Sequence, residues 1–582
     1  MAVQAADNNP SPSTLLITDP AVLQALERQG LSLGALVGAG DAKANDRLSR
    51  SPVFAPVIAT LEDEVAQAAA GDKLAGVDVA RFSHRLFDRR FFRLPQASFD
   101  LVGIVNRLDR AAYDASSCGE TRLVYRLSYA FDAERASKLP MTIGVELKVP
   151  RGRDCVAAVA RWKEPAYSDA AARASWLRSP KGPLAPELVV ASHEATRVVV
   201  NVQLVRWPST VRPDLGGHAE YLLRAFRPGA SGILEPELLE NTIDPAEFRT
   251  PRQQAELVDW LAENAAAVDA GTALLPSKFL AKRAISVTPR GLSRLANRPF
   301  SAALSPAAFS GRDFTAGRFV KSATGLLRRL DQLSCQGCHE ARSVAGFHLL
   351  GEDLATDPLE NALALPVSPH LASDLRRRER VALLASSGDM ADLAVPFAER
   401  PTRDGRYGAP CGLGADASFA DWTCDEGLKC TASETRAGDA IGQCQSATRQ
   451  VGDGCELGAV TPHVDRRRDR MGPVSVEPCP GMVCNRSRVG FPGGMCTADC
   501  SSPDATCGAI AILDSFNACL ARGDAFLSCI RGNTSPAGLR ACDVDRPCRD
   551  DYVCARSGTG GVCLPPYFVF QLRVDGHSSS LR

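Results

Sequence analysis

Sixteen of the 20 cysteines in this chain fall between Cys411 and Cys563. A segment that dense in cysteine, with little apolar periodicity, holds its shape by cross-links rather than by burial. Reducing cytosol would keep such thiols free, so the tail predicts a periplasmic, secreted or cell-surface protein with eight disulfide bonds there. Three stretches share an outline: Cys411, Cys424, Cys430 and Cys444; Cys455, Cys479, Cys484 and Cys496; Cys542, Cys548, Cys554 and Cys563. In each, a glycine (Gly442, Gly494 or Gly561) stands just before the last cysteine, as in a repeated small disulfide knot. Cys500, Cys507, Cys519 and Cys529 lie between the second and third copies, and 517–530 reads as a short helical insert. Spacing alone does not give the pairings.

Upstream of the tail the pattern changes. Leu123, Tyr125, Leu127, Tyr129 and Phe131 alternate with more polar residues. Met141, Ile143, Val145, Leu147 and Val149 do the same, as do Val198, Val200, Val202 and Leu204. Period-two alternation predicts strands with one buried and one wet face, hence an antiparallel sheet. Helical spacing is expected over 62–70, 79–87, 154–174, 252–268 and 322–333, the last with Leu326, Leu327, Leu330 and Leu333 on one face. Ser373 or Asp374 is expected to cap a helix through Ala385 that stops at Gly388. Its Arg376, Arg377, Arg378 and Arg380 read as a solvated face, or more sharply as a docking patch for an acidic redox partner. The expected class is a multidomain α+β chain. It divides into a disordered leader (1–20), a helical region (21–95), an antiparallel-sheet domain (96–230), a second helical region (231–405) and a cysteine-rich segment (406–582) ending in a strand at 567–574. Cys118 and Cys155 are expected to form one disulfide, against a nucleophile reading of Cys118.

Charge narrows the function classes. The 67 basic residues balance 67 acidic ones, so no long-range field favours nucleic acid or acidic lipid. No run of eighteen apolar residues suggests a transmembrane segment. Met1 to Pro20 lacks a basic region followed by an apolar one, so the expectation is a removed signal peptide or a misplaced start. No phosphate-binding loop, nucleophile elbow or zinc-protease motif is found.

The second helical region holds Ser334-Cys335-Gln336-Gly337-Cys338-His339-Glu340. C-x-x-C-H is the attachment signature of c-type haem: two thiols bind the two vinyl groups on one porphyrin edge, and the adjacent histidine binds iron. Chance would produce this motif about 0.01 times in a chain of this composition. A helix precedes it, unlike a thioredoxin-type site, and no second cysteine pair lies nearby to complete a zinc site. The segment resembles monohaem c-type cytochromes over roughly 30 to 100 residues. The resemblance implies haem c on Cys335 and Cys338, iron bound by His339, and one-electron transfer to an unidentified redox partner. Met390 and His348 are rival second iron ligands, His370 is a more distant one, and an open iron face is the remaining case. An open face would suit a sensor or peroxidase-like enzyme. Absence of haem would leave a cell-surface interaction protein.

Overall fold

The computed structural model describes residues 13–75, 85–114, 116–131, 136–151, 155–191, 197–207, 218–287, 297–337, 369–388, 400, 405, 409–431, 440–446 and five short tail strands. The chain adopts the expected α+β class. Its centre is a nine-stranded antiparallel sheet: β1 (Leu16–Ile17), β2 (Arg85–Leu86), β3 (Ala97–Arg107), β4 (Ser117–Ala130), β5 (Ala136–Pro150), β6 (Arg197–Trp207), β7 (His218–Pro228), β8 (Leu234–Glu237) and β9 (Ala284–Val287). The order is β1-β3-β4-β5-β6-β7-β8, with β2 also on β6 and β9 also on β7. From β3 to β8 each strand pairs with its successor, so one meander builds most of the sheet.

The alternation in sequence chooses the core. Tyr125, Ile143 and Val200 stand in register on neighbouring strands and are fully buried. They pack under α1 (Pro20–Leu26), α2 (Leu33–Leu36), α3 (Asn45–Leu48) and α4 (Ala55–Ala75). The Tyr125 hydroxyl escapes an unpaired burial by donating to the Leu31 carbonyl at 2.7 Å. Each such aliphatic or aromatic side chain contributes about 1.5–3 kcal/mol when fully buried. At the sheet's end α5 (Val156–Ala160) packs Val159 against Leu108, Val381 and Ala385, while α6 (Ala170–Leu177) and α7 (Pro186–Ala191) extend this layer. A disulfide, Cys118–Cys155, ties the start of β4 to the start of α5 as expected.

Several details depart from the sequence reading. The chain joins the sheet at Leu16–Ile17, within the expected leader. Arg85–Leu86 is a strand rather than a helix end, because β6 offers it hydrogen-bond partners. The expected helical region beyond 230 also supplies two strands to the sheet, β8 and β9, with helices between them. Most importantly, the polar face of the sheet is not wet. Arg107, Arg122, Arg126, Thr142, Glu146 and Gln203 on that face are all buried. Opposite charges on adjacent strands neutralise one another there, so the face can be covered.

A second core lies in the helical region, where α8 (Pro251–Glu263), α9 (Ala265–Ala270), α10 (Pro299–Ala303) and α11 (Ala323–Leu333) meet. Thr250 and Gln253 form a reciprocal capping box at the start of α8. The last helix described, α12 (Pro369–Ser386), begins earlier than Ser373 and ends before Gly388, whose φ of 79° suits glycine. Asp374 is therefore inside the helix, not its cap.

The tail repeat is visible in strand register. In the first knot β10 (Pro410–Gly412), β11 (Leu428–Thr431) and β12 (Ile441–Ser446) form a sheet closed by Cys411–Cys430 and Cys424–Cys444. Here Cys430 faces Cys444 across the strands, and Cys411 faces Gly442. The second copy pairs β13 (Val483–Asn485) with β14 (Met495–Thr497), and Cys484 faces Cys496. In the third, β15 (Ala541–Cys542), β16 (Val553–Ser557) and β17 (Gly560–Leu564) place Cys554 opposite Cys563 and Cys542 opposite Gly561. A shared register predicts a shared first-to-third, second-to-fourth connectivity: Cys455–Cys484, Cys479–Cys496, Cys542–Cys554 and Cys548–Cys563. Non-reducing peptide mapping should recover these four links, and a Cys542–Cys563 peptide would overturn the assignment. The proposed insert at 517–530 and terminal strand at 567–574 lie outside the described residues.

Candidate functional site

Helix α11 leads to the motif. Ser322 caps it, accepting from Gly325 N at 2.9 Å and donating to Asp416 of the first knot at 2.8 Å. The Lys321 amide donates to Ser418 Oγ at 2.9 Å, so the knot is fastened to the helix's N-terminal end. The leucine face expected from sequence, Leu326, Leu327, Leu330 and Leu333, enters the second core. The other face is buried as well. Arg329 Nε donates to the Val268 carbonyl at 2.9 Å, near the end of α9, where a cation suits the free carbonyls. Asp331 accepts from Phe300 N at 2.7 Å and from the Ser301 hydroxyl at 2.5 Å, fixing the start of α10. Burial pushes the Asp331 carboxyl up to about 6, although Arg328 and these donors pull the other way.

At the foot of α11 the chain enters a short 3-10 turn, Cys335–Gly337. Cys335 is 4% exposed and carries a free thiol, whereas Cys118, Cys155, Cys411, Cys424, Cys430 and Cys444 are all disulfide-bonded. Its sulfur lies among Val199, Leu223, Ala225, Leu239 and Ala284, on the polar side of the sheet where β6 and β7 turn apolar. The segment 240–242 cradles it. The Cys335 amide donates to Thr242 Oγ1 at 2.8 Å, and the thiol meets the Glu240 carbonyl at 3.5 Å. Asn241, between them, has a φ of 51°. That left-handed turn sends its amide the other way, to the Ala273 carbonyl and the Leu275 amide, so its neighbours can both serve Cys335. Gln336 is held through Ser286 Oγ on its carbonyl at 3.2 Å and through its own Nε2 on Ile285 O at 2.9 Å. Burial pushes the Cys335 thiol up to about 11, against Thr242 and Arg197, so it is protonated at neutral pH and not a standing nucleophile.

Glu240 connects this cradle to the buried charges of the sheet. Arg110 bonds it at 2.7 Å, and Arg197 lies 3.7 Å away. Arg122 bonds both Glu120 and Glu146 at 2.7 Å. Arg107 bonds Asp109 at 3.0 Å, and α12 adds Arg377 to Asp109 at 2.8 Å and Arg378 to Asp374 at 2.8 Å. Burial alone would raise the Asp109 carboxyl, but Arg107, Arg378 and Arg377 hold it well below the ordinary value. Asp374 is lowered by Arg377 and Arg378 against the same penalty. Glu146 goes the other way: its burial outweighs the Arg122 charge that it shares with Glu120. The arginine run is thus split. Arg376 and Arg380 are exposed, whereas Arg377 and Arg378 share a helix face with Asp374 and Val381 and turn inward.

Of the residues expected to bind haem and iron, Cys335 is described. Cys338, His339, His348 and Met390 lie outside the described residues, and His370 falls in the first turn of α12. The sequence reading did not single out Glu240, Thr242 or the charged network. One signal was available: Glu146 stands between Val145 and Leu147, and Arg122 and Glu120 continue the polar positions of the β4 alternation, with both signs represented. Among the described residues no helix is long and apolar enough to cross a membrane. No protein-family model, curated protein or solved structure matches the chain.

Proposed function

We propose that this chain is an extracytoplasmic monohaem c-type protein that passes single electrons. The observation that supports it most is the state of Cys335. The other six described cysteines with known partners are consumed in disulfides, and the one left free opens C-x-x-C-H. Disulfides form in oxidising compartments, where an unpaired thiol inside a cysteine-rich protein calls for another use. The described surroundings fit a porphyrin edge: the sulfur has aliphatic neighbours, and the hydrogen bond that a thioether would forfeit is the long 3.5 Å one from the thiol to the Glu240 carbonyl. Cys335 and Cys338 would hold the group covalently and His339 would bind its iron, with Met390 or His348 opposite. Bound there, haem supplies a one-electron couple.

The chain's own contribution is rigidity. Thr242 fixes the Cys335 backbone, α11 is buried on all sides, and Glu240 is locked by Arg110. A cradle that does not move between oxidation states suits electron transfer. The test is protein made with a periplasmic leader and haem-maturation machinery. Its intact mass should rise by one haem that acid-acetone does not extract, and C335A/C338A should retain none. An unchanged wild-type mass would sink the proposal. Ready binding of carbon monoxide by the wild type would favour an open-face sensor or enzyme instead.

A further inference from the structure

A pocket of about 330 Å³ lies between the β4–β5 pair and helices α5 and α7. Its floor is Leu147, Trp162 and Leu184, which also belong to the main core. Thr121 stands beside Leu147 as its cross-strand partner and joins the lining. Half-buried Ala158 on α5 and Leu188 on α7 form the rim. Space of this size bordered by aliphatic groups forfeits packing contacts all round its wall, and an occupant would restore them. Pockets that bind small molecules begin at about this volume.

The lining also says what kind of occupant. Among the described residues two charged ones line it, Glu120 and Arg161. Glu120 is bonded to Arg122 at 2.7 Å and lies 3.6 Å from Arg110. Arg161 donates to the Pro180 carbonyl at 2.7 Å and to the Gly182 carbonyl at 3.0 Å. Asn106 donates to Thr14 O at 3.2 Å and accepts from Leu108 N at 3.0 Å. A cationic ligand would therefore meet no free carboxylate and would pay its desolvation unaided, whereas the Arg161 guanidinium, bonded here to neutral carbonyls, keeps a positive charge at the lining. The Thr121 hydroxyl is the lining group that can serve a ligand without breaking such a tie.

We infer that this pocket is a binding site for a mostly hydrocarbon, non-cationic molecule bearing one hydroxyl, carbonyl or carboxylate group. A cavity of about 150 Å³ accommodates benzene, so this one has room for about a dozen heavy atoms. The site stands apart from the haem proposal and does not depend on it. The probe is 1-octanol, titrated calorimetrically into the full-length protein, with octylammonium as the cationic control. One saturable site is expected, with octylammonium at least about tenfold weaker at neutral pH. Ala158→Phe at the rim should weaken octanol at least about tenfold while leaving the circular dichroism unchanged. Thr121→Val should weaken octanol less and leave octane binding unaltered, which keeps the test open if Ala158→Phe folds poorly. Absence of saturable binding to the wild type, octylammonium binding as tightly as octanol, or equal affinities in the wild type and both variants would each overturn the inference.

Discussion

Replacing Asp109 by alanine is expected to destabilise the chain by about 3–5 kcal/mol, the cost of removing one partner from a buried ion pair. The Asp109 side chain is completely buried between Arg107 and Arg377. Without it the Arg107 guanidinium, itself 1% exposed, keeps its charge and loses its counter-ion. A loss that large is a substantial part of the 5–15 kcal/mol that holds a typical domain together. Substituting both partners, R107M/D109L, should recover much of it, because an apolar pair of similar volume has no charge to desolvate. Urea unfolding of the three proteins reads the difference directly. A D109A midpoint within error of the wild type would show that the network is not formed. The same groups set the acid limit. Asp109 and Asp374 are lowered in the folded state, so their contribution is fully present above the ordinary carboxylate value near 4 and is lost as pH falls through the lowered ones. Stability should therefore fall below about pH 4, and Asp109→Asn should flatten that acid limb.

Removing the Cys118–Cys155 bridge with C118A/C155A should cost roughly 4 kcal/mol, chiefly because the unfolded chain regains the freedom of a loop spanning 37 residues. Both residues are buried, so the truncated side chains add a packing loss of their own. Dithiothreitol should lower the wild type toward the variant and leave the variant itself nearly unchanged in the transition of the sheet domain. The bridge also anchors α5, whose Ala158 borders the hydrocarbon pocket. Octanol binding should weaken with it. A shift under about 1 kcal/mol would mean that the bridge is absent from the folded protein.

Much of the fold was legible before any coordinates. The apolar members of β4, β5 and β6 were readable because a strand's side chains alternate strictly, so one buried face leaves a two-residue period. The leucine stripe of α11 was readable for the corresponding helical reason. The tail repeat followed from cysteine and glycine order, and the strand register of Cys430, Cys484 and Cys554 agrees with it. The Cys118–Cys155 bridge was legible because those two were the only cysteines upstream of the motif.

The polar face was misjudged for an equally plain reason. Alternating hydropathy shows which face is apolar, but it does not show whether the other face is wet. Arg122 and Glu146 look like surface residues in a string and become a buried pair only when their strands stand in register. Asp109 and Arg377 are separated by 268 residues, and no local pattern announces their contact. The same holds for the cradle of Cys335. The disulfide-bearing tail, the alternating strands and the C-x-x-C-H motif are each written in neighbours along the chain and could be read there. That Glu240 and Thr242 hold Cys335, that Arg377 and Arg378 turn inward, and that an apolar pocket opens beside Thr121 emerged in three dimensions alone. Those features depend on which distant segments meet, and that is set by the packing of whole elements.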